Sequence, residues 1–154
     1  MAHYFFDSSA LVKYYVSETG TSWVRAIVDA QPPNDISIAH VTGAEIVAAI
    51  ARRTRMGLTT VTDAAKAIGI FNTHFQTKYR VVIATLETIE RAMSLAEKYA
   101  LRGYDAIQLG AALMVEAEMT ADGFGPLTLI SADNELNQAA QTEGLLTDDP
   151  NQHP

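Results

Sequence analysis

An α/β fold, a three-layer sandwich with a mainly parallel central sheet of four to five strands, is what this chain predicts. Two observations carry most of that expectation. Short apolar and β-branched runs, such as Tyr4-Phe5-Phe6 and Val81-Val82-Ile83, alternate with stretches whose apolar residues recur every three or four positions. Runs of that kind lack the polar alternation of a half-solvated sheet, so helices are expected on both faces. Length is the third observation: 154 residues make about one domain, able to bury roughly 70% of its unfolded surface without disulfides or a structural metal.

The elements follow in order. Residues 3–6 read as a first strand, with helices expected over 10–16 and 21–30. Pro32-Pro33-Asn34-Asp35 marks a turn, and residues 36–41 a second strand. A helix over 43–55 puts Ile46, Val47 and Ile50 on one side. Helix is expected again from Thr60 to about residue 76, then a third strand over 81–83. Residues 88–100 set Ile89, Ala92, Met93 and Ala96 at helical spacing, and 104–118 form the most apolar helix, expected to be central. Leu127-Thr128-Leu129-Ile130 is the fourth strand. A helix over 134–142 is stopped by Gly144, and Leu145-Leu146 adds an edge strand. This is one domain over residues 1–147 with a frayed polar C-terminal tail over 148–154.

Composition excludes several classes. There is no cysteine, hence neither a disulfide framework nor a thiolate metal site. The start, Met1-Ala2-His3-Tyr4, has no basic region of a signal peptide. The longest apolar stretch, around 109–115, is far short of the roughly 18 residues of a membrane span. A soluble, cytoplasmic protein without a membrane partner is expected. The net charge of −7 is unevenly spread. Residues 1–102 carry all 11 Lys and Arg against 9 acids, while 103–154 carry 9 acids and no Lys or Arg. Any phosphate contact must come from the first part, chiefly Arg52, Arg53 and Arg55, which fit a solvated helix face equally well.

Four isolated acids, Asp7, Glu45, Asp105 and Asp133, are each expected where a strand hands over to a helix. Ligands of open α/β sheets bind beyond the carboxyl ends of the strands. Carboxylates gathered there suit a hard divalent cation such as Mg²⁺. Each acid also has an ordinary reading. Asp7 and Asp133 can cap helices, Thr42-x-x-Glu45 fits a capping box, and Asp105 suits a helix first turn. Clustering argues for the cation, since two carboxylates about 4 Å apart repel by roughly 4 kcal/mol at an effective dielectric near 20.

The segments around these acids are Phe6-Asp7-Ser8-Ser9-Ala10-Leu11-Val12-Lys13, Glu45-Ile46-Val47-Ala48-Ala49-Ile50-Ala51-Arg52, Leu101-Arg102-Gly103-Tyr104-Asp105-Ala106-Ile107-Gln108-Leu109, and Ser131-Ala132-Asp133 followed by Leu136 and Ala139-Ala140. In order and at these spacings, they resemble the PIN-domain ribonucleases over residues 5–144, most closely the VapC-type toxins of toxin–antitoxin modules. The resemblance implies a PIN-like sandwich and an RNA-cleaving hydrolase using Mg²⁺ or Mn²⁺. It implies an acidic site of Asp7, Glu45, Asp105 and Asp133, with Asp7 and Asp105 as direct metal ligands. Ser9 and Ser131 become hydroxyls that orient the carboxylates, a role to set beside simple turn bonding. With RNA as the substrate, Arg52 and Arg53 are the candidate contacts on grounds of charge. A homodimer and a cognate antitoxin protein are the partners implied.

Two other classes fit part of the pattern. A phosphatase of the haloacid-dehalogenase type also carries an Asp after its first strand, but wants a second Asp where this chain has Ser9. A non-catalytic PIN scaffold would bind a partner through its apolar helices, and the thin basic surface suits it. The histidines, His3, His40, His74 and His153, match no metal-binding spacing.

Overall fold

The computed structural model of the chain describes residues 1–154. In chain order the elements are β1 (His3–Phe6), α1 (Ser8–Tyr15), α2 (Thr21–Val28), β2 (Asp35–Ala39), α3 (Val41–Arg55), α4 (Val61–Thr77), β3 (Arg80–Val82), α5 (Leu86–Tyr99), α6 (Gly103–Ala121), β4 (Leu127–Ile130), α7 (Asn134–Thr142) and β5 (Leu146–Asp148). A 3₁₀ turn, Pro150–Gln152, ends the chain. The five strands form one sheet in the order β3-β2-β1-β4-β5, and every neighbouring pair is parallel. The expected parallel α/β sandwich is therefore what forms.

Successive residues of a strand point to opposite faces, and the core divides accordingly. Phe5 packs with Leu109, Leu129 and Leu136 on the face covered by α5, α6 and α7. Phe6 packs with Ile38, Ile46, Phe71 and Ile130 on the face covered by α1 to α4. Both Phe side chains are fully buried, each contributing about 1.5–3 kcal/mol by removal of apolar area from water. Small residues let α6 lie close to α5: a Cβ at Gly110 would stand 3.3 Å from the Thr88 carbonyl oxygen. No helix is long and apolar enough to cross a membrane.

Boundaries depart from expectation where pairing partners run out. The Ala39–Val82 pair is the last rung between β2 and β3, and His40 N donates to Val82 O at 2.9 Å. Beyond it His40 turns into helical backbone, so Val41 begins α3 instead of ending β2. Ile83, expected in β3, finds no partner and is largely exposed. The C-terminal segment is docked, not frayed. Pro150 is buried, Lys13 Nζ donates to Asn151 Oδ1 at 3.0 Å, and His153 stacks on Trp23 with ring centroids 4.1 Å apart.

The topology fixes where a ligand would go. Strands β2 and β3 lie on one side of β1 and strands β4 and β5 on the other. The switch point of the sheet is thus between β1 and β4, where open α/β sheets form a crevice at their carboxyl ends.

Candidate active site

Two of the four acids leave the sheet at that switch point. The β1–β4 ladder ends with Asp7 N donating to Ile130 O at 3.1 Å. Asp7 then caps α1, its carboxylate accepting from Ala10 N. Asp133 follows β4 and caps α7, its Oδ1 accepting from Leu136 N at 2.9 Å. Glu45 and Asp105 arrive differently. Glu45 sits in the second turn of α3, and Asp105 in the first turn of α6, which follows a helix and not a strand. The capping box expected of Thr42 and Glu45 does not form, because α3 starts earlier, with His40 as its N-cap and no side-chain cap bond. Glu45 is thereby left for the cleft.

All four acids line one open cleft of about 630 Å³, together with Ser8, Ser9, Arg52, Arg102 and Tyr104. Ser131 lies beneath, fully buried. Hydroxyls knit the floor. Ser9 Oγ donates to Asp7 Oδ1 at 2.8 Å, and Ala10 N reaches the same oxygen at 3.1 Å. Ser9 Oγ accepts from Ala132 N at 2.9 Å, tying the start of α1 to the segment after β4. Ser131 Oγ accepts from Asp133 N at 3.0 Å, and the Ser131 carbonyl accepts from Asn137 Nδ2 at 2.8 Å.

Charge is concentrated here. Burial pushes the Asp7 carboxyl up to about 7 from its ordinary 3.8, against hydrogen bonds from Ser9, Ala10 and Ser131, and Asp105 adds repulsion. Asp105 is also raised, first by burial and then by Asp133, with Arg102 opposing and Glu45 and Glu135 adding. The donor set fits a hard divalent cation: carboxylate oxygens converge and repel one another, and a cation would relieve both effects. No three of these groups close into a ready-made cage.

The two arginines expected to contact RNA separate. Adjacent positions on a helix point about 100° apart. Arg52 lines the cleft, while Arg53 faces a separate hollow with Tyr15 and Leu58 and pairs with Glu18, Nη1 to Oε1 at 2.7 Å. Arg102 also lines the cleft, three residues before Asp105 and at the N-cap position of α6. Three further side chains stand at the cleft or on its acids. Tyr104 is 61% exposed at the cleft. Ser8 Oγ donates to Glu45 Oε2 at 2.7 Å, and Gln108 Nε2 to Glu45 Oε1 at 3.0 Å. Gln108 does carry a signal: it is the one polar residue between Ala106 and Leu113 in an apolar helix. Histidines stay structural; His40 Nδ1 accepts from Ala84 N, and His74 Nδ1 meets the Tyr15 hydroxyl.

A parallel sheet with acids gathered beyond its switch point defines an α/β protein with a carboxylate-lined cleft. Residues 4–141 match the PIN domain family, and the chain belongs to that family. Three solved structures share its fold. The PAE2754 protein of Pyrobaculum aerophilum is 18% identical with a TM-score of 0.62, over 95% of this chain and 83% of that one. VapBC2 from Rickettsia felis, bound to a DNA fragment from their promoter, is 12% identical with a TM-score of 0.60, over 95% and 97%. FitAcB from Neisseria gonorrhoeae is 13% identical with a TM-score of 0.56, over 96% and 97%. No curated protein matches the sequence.

Proposed function

We propose that this protein is a divalent-metal-dependent endoribonuclease and the toxin of a type II toxin–antitoxin pair. The observation that carries the reading is the meeting of Asp7, Glu45, Asp105 and Asp133 in one cleft of a PIN-domain fold. Asp7 and Asp105 would hold Mg²⁺ or Mn²⁺, with Glu45 and Asp133 completing the negative field. The cation would activate water for attack on a phosphodiester and stabilise charge on the phosphoryl oxygens. Ser9 and the Ala10 amide hold Asp7 Oδ1 in place, and Ser131 orients the segment that carries Asp133. Arg52 and Arg102 offer charge to phosphates at the cleft. Tyr104 offers an exposed ring for a base to stack on, which favours single-stranded or looped RNA.

The test is RNA cleavage by the purified protein. Cleavage is expected with Mg²⁺ or Mn²⁺ and none in chelator, while far-ultraviolet circular dichroism stays the same in both, because the core needs no metal. Hydrolysis of a phosphomonoester but not of RNA would favour the phosphatase. That alternative is poorly served by Ser9, whose hydroxyl proton is donated to Asp7. A folded protein that cleaves neither would favour the scaffold.

Arg52→Ala and Arg102→Ala are expected to weaken RNA binding at every sequence and to lower the salt slope by about one each. Arg53→Ala should leave the slope unchanged, since that side chain serves Glu18. Filter binding across a salt series separates the two outcomes.

Partners follow from exposed apolar side chains. Ile83 and Leu86 are exposed at the start of α5 and Met93 midway along it, and Met56, Leu58 and Val61 are exposed at the α3–α4 corner. A homodimer and an antitoxin segment would cover them in the cytoplasm, the antitoxin bringing an Arg or Lys to the acidic cleft. A monomer by light scattering at micromolar concentration would count against the dimer.

A further inference from the structure

We infer that Gln108, with Ser8, is a positioning residue that fixes the Glu45 carboxylate before cation or RNA arrives; this rests on the metal-dependent reading above. Both oxygens of Glu45 are held. Ser8 Oγ donates to Oε2 at 2.7 Å, and Gln108 Nε2 donates to Oε1 at 3.0 Å. The same amide nitrogen lies 2.9 Å from Thr42 Oγ1 and 3.3 Å from Ser8 Oγ. The clamp therefore joins α1, α3 and α6 at a single carboxylate.

The other end of Gln108 is left without a partner. The side chain is 1% exposed, and its Oε1 accepts no hydrogen bond. A buried acceptor left unpaired is unfavourable. Exchanging the two ends of the amide would not relieve this, since Oε1 would then face the Glu45 carboxylate. The amide orientation is thus dictated by Glu45 and Thr42. A side chain needed only for packing at this point of α6 would be apolar, as its buried neighbours Ala106 and Leu109 are. Gln108 also follows Asp105 by three residues, so the two share a helix face. One helix supplies a site carboxylate and the support for another.

What the clamp achieves is order. Glu45 is only partly buried, and a free glutamate side chain samples many rotamers whose loss opposes ligand binding. Held at both oxygens, it meets the cleft in one orientation. Hydrogen-bond partners behind metal-site carboxylates typically contribute 10- to 100-fold in affinity or activity.

The experiment is Mn²⁺ titration by calorimetry, without RNA, of wild type, Gln108→Met, Glu45→Gln and the double variant. Gln108→Met is expected to weaken Mn²⁺ binding about 10-fold while circular dichroism shows the metal-free protein still folded. In the Glu45→Gln background the same change should have no further effect, because it acts through Glu45. Ser8→Ala, which removes the other donor, should follow the same pattern. A folded Gln108→Met protein that binds Mn²⁺ as wild type does, or that loses affinity again on top of Glu45→Gln, overturns the inference. Those failures leave the ribonuclease reading standing, whereas a wild type that binds no Mn²⁺ overturns both.

Discussion

Asp7→Asn is expected to lower the rate of the proposed RNA cleavage by about 10²–10³-fold, equivalent to about 3–4 kcal/mol of barrier. The substitution is chosen because it removes charge and little else. Asn caps helices as well as Asp does, and its side-chain oxygen can still accept from Ala10 N and Ser9 Oγ. Volume is nearly the same in a site where Asp7 is only 2% exposed. What disappears is the negative charge offered to a cation at the end of β1. Single-turnover cleavage in Mn²⁺, with circular dichroism as the control for folding, reads the effect. A folded Asp7→Asn protein that cleaves at the wild-type rate would show that the hydrolysis does not depend on this carboxylate.

The metal-free protein is expected to lose stability as pH rises through neutrality, and Asp7 is the reason. Its carboxyl stands at about 7 in the fold against an ordinary 3.8. Between those values the folded protein keeps a proton that the unfolded chain has released, so stability falls with rising pH. The contribution of neutral Asp7 is complete below about pH 4 and lost by about pH 8, roughly 4 kcal/mol in all. Asp7→Asn cannot release a proton. Its stability relative to wild type should rise from near zero at pH 4 to roughly 4 kcal/mol at pH 8. Urea unfolding of both proteins in chelator at the two pH values measures the difference. Adding Mn²⁺ at pH 8 should restore wild type and not the variant, since a ligand that binds the folded state stabilises it. A difference that does not change with pH would contradict the assignment.

The sheet was legible because its inner strands are largely buried and therefore mostly apolar in sequence. Tyr4-Phe5-Phe6 and Leu127-Thr128-Leu129-Ile130 sit in the two central strands. Asp7 and Asp133 were legible for a related reason: an isolated acid within three residues after such a run sits at the carboxyl edge. Edge strand β3 was displaced by one residue, because its extent is set by where β2 turns into α3 at His40, a tertiary fact. The fate of Arg53 was hidden likewise. Its partner Glu18 lies 35 positions away, and no local pattern joins them. Gln108 was overlooked because the apolar periodicity of α6 defines the helix so strongly that one polar residue reads as noise. The docked tail depends on Gly20, whose positive φ and missing Cβ admit the Pro150 carbonyl at a distance no other residue could tolerate.

The central claim is that the carboxylate cleft holds a divalent cation, and Mn²⁺ titration of the metal-free protein at pH 8 tests it most directly. Free Mn²⁺ can be followed by its electron paramagnetic resonance signal in wild type and in Asp105→Asn. Asp105 is the suitable partner for comparison because its carboxylate is raised by burial and by its acidic neighbours, with no hydrogen bond contributing. Saturable binding by wild type, weakened at least about 10-fold in Asp105→Asn, is the predicted result. A wild type that leaves Mn²⁺ free, or an Asp105→Asn protein that binds it equally well, would contradict the account.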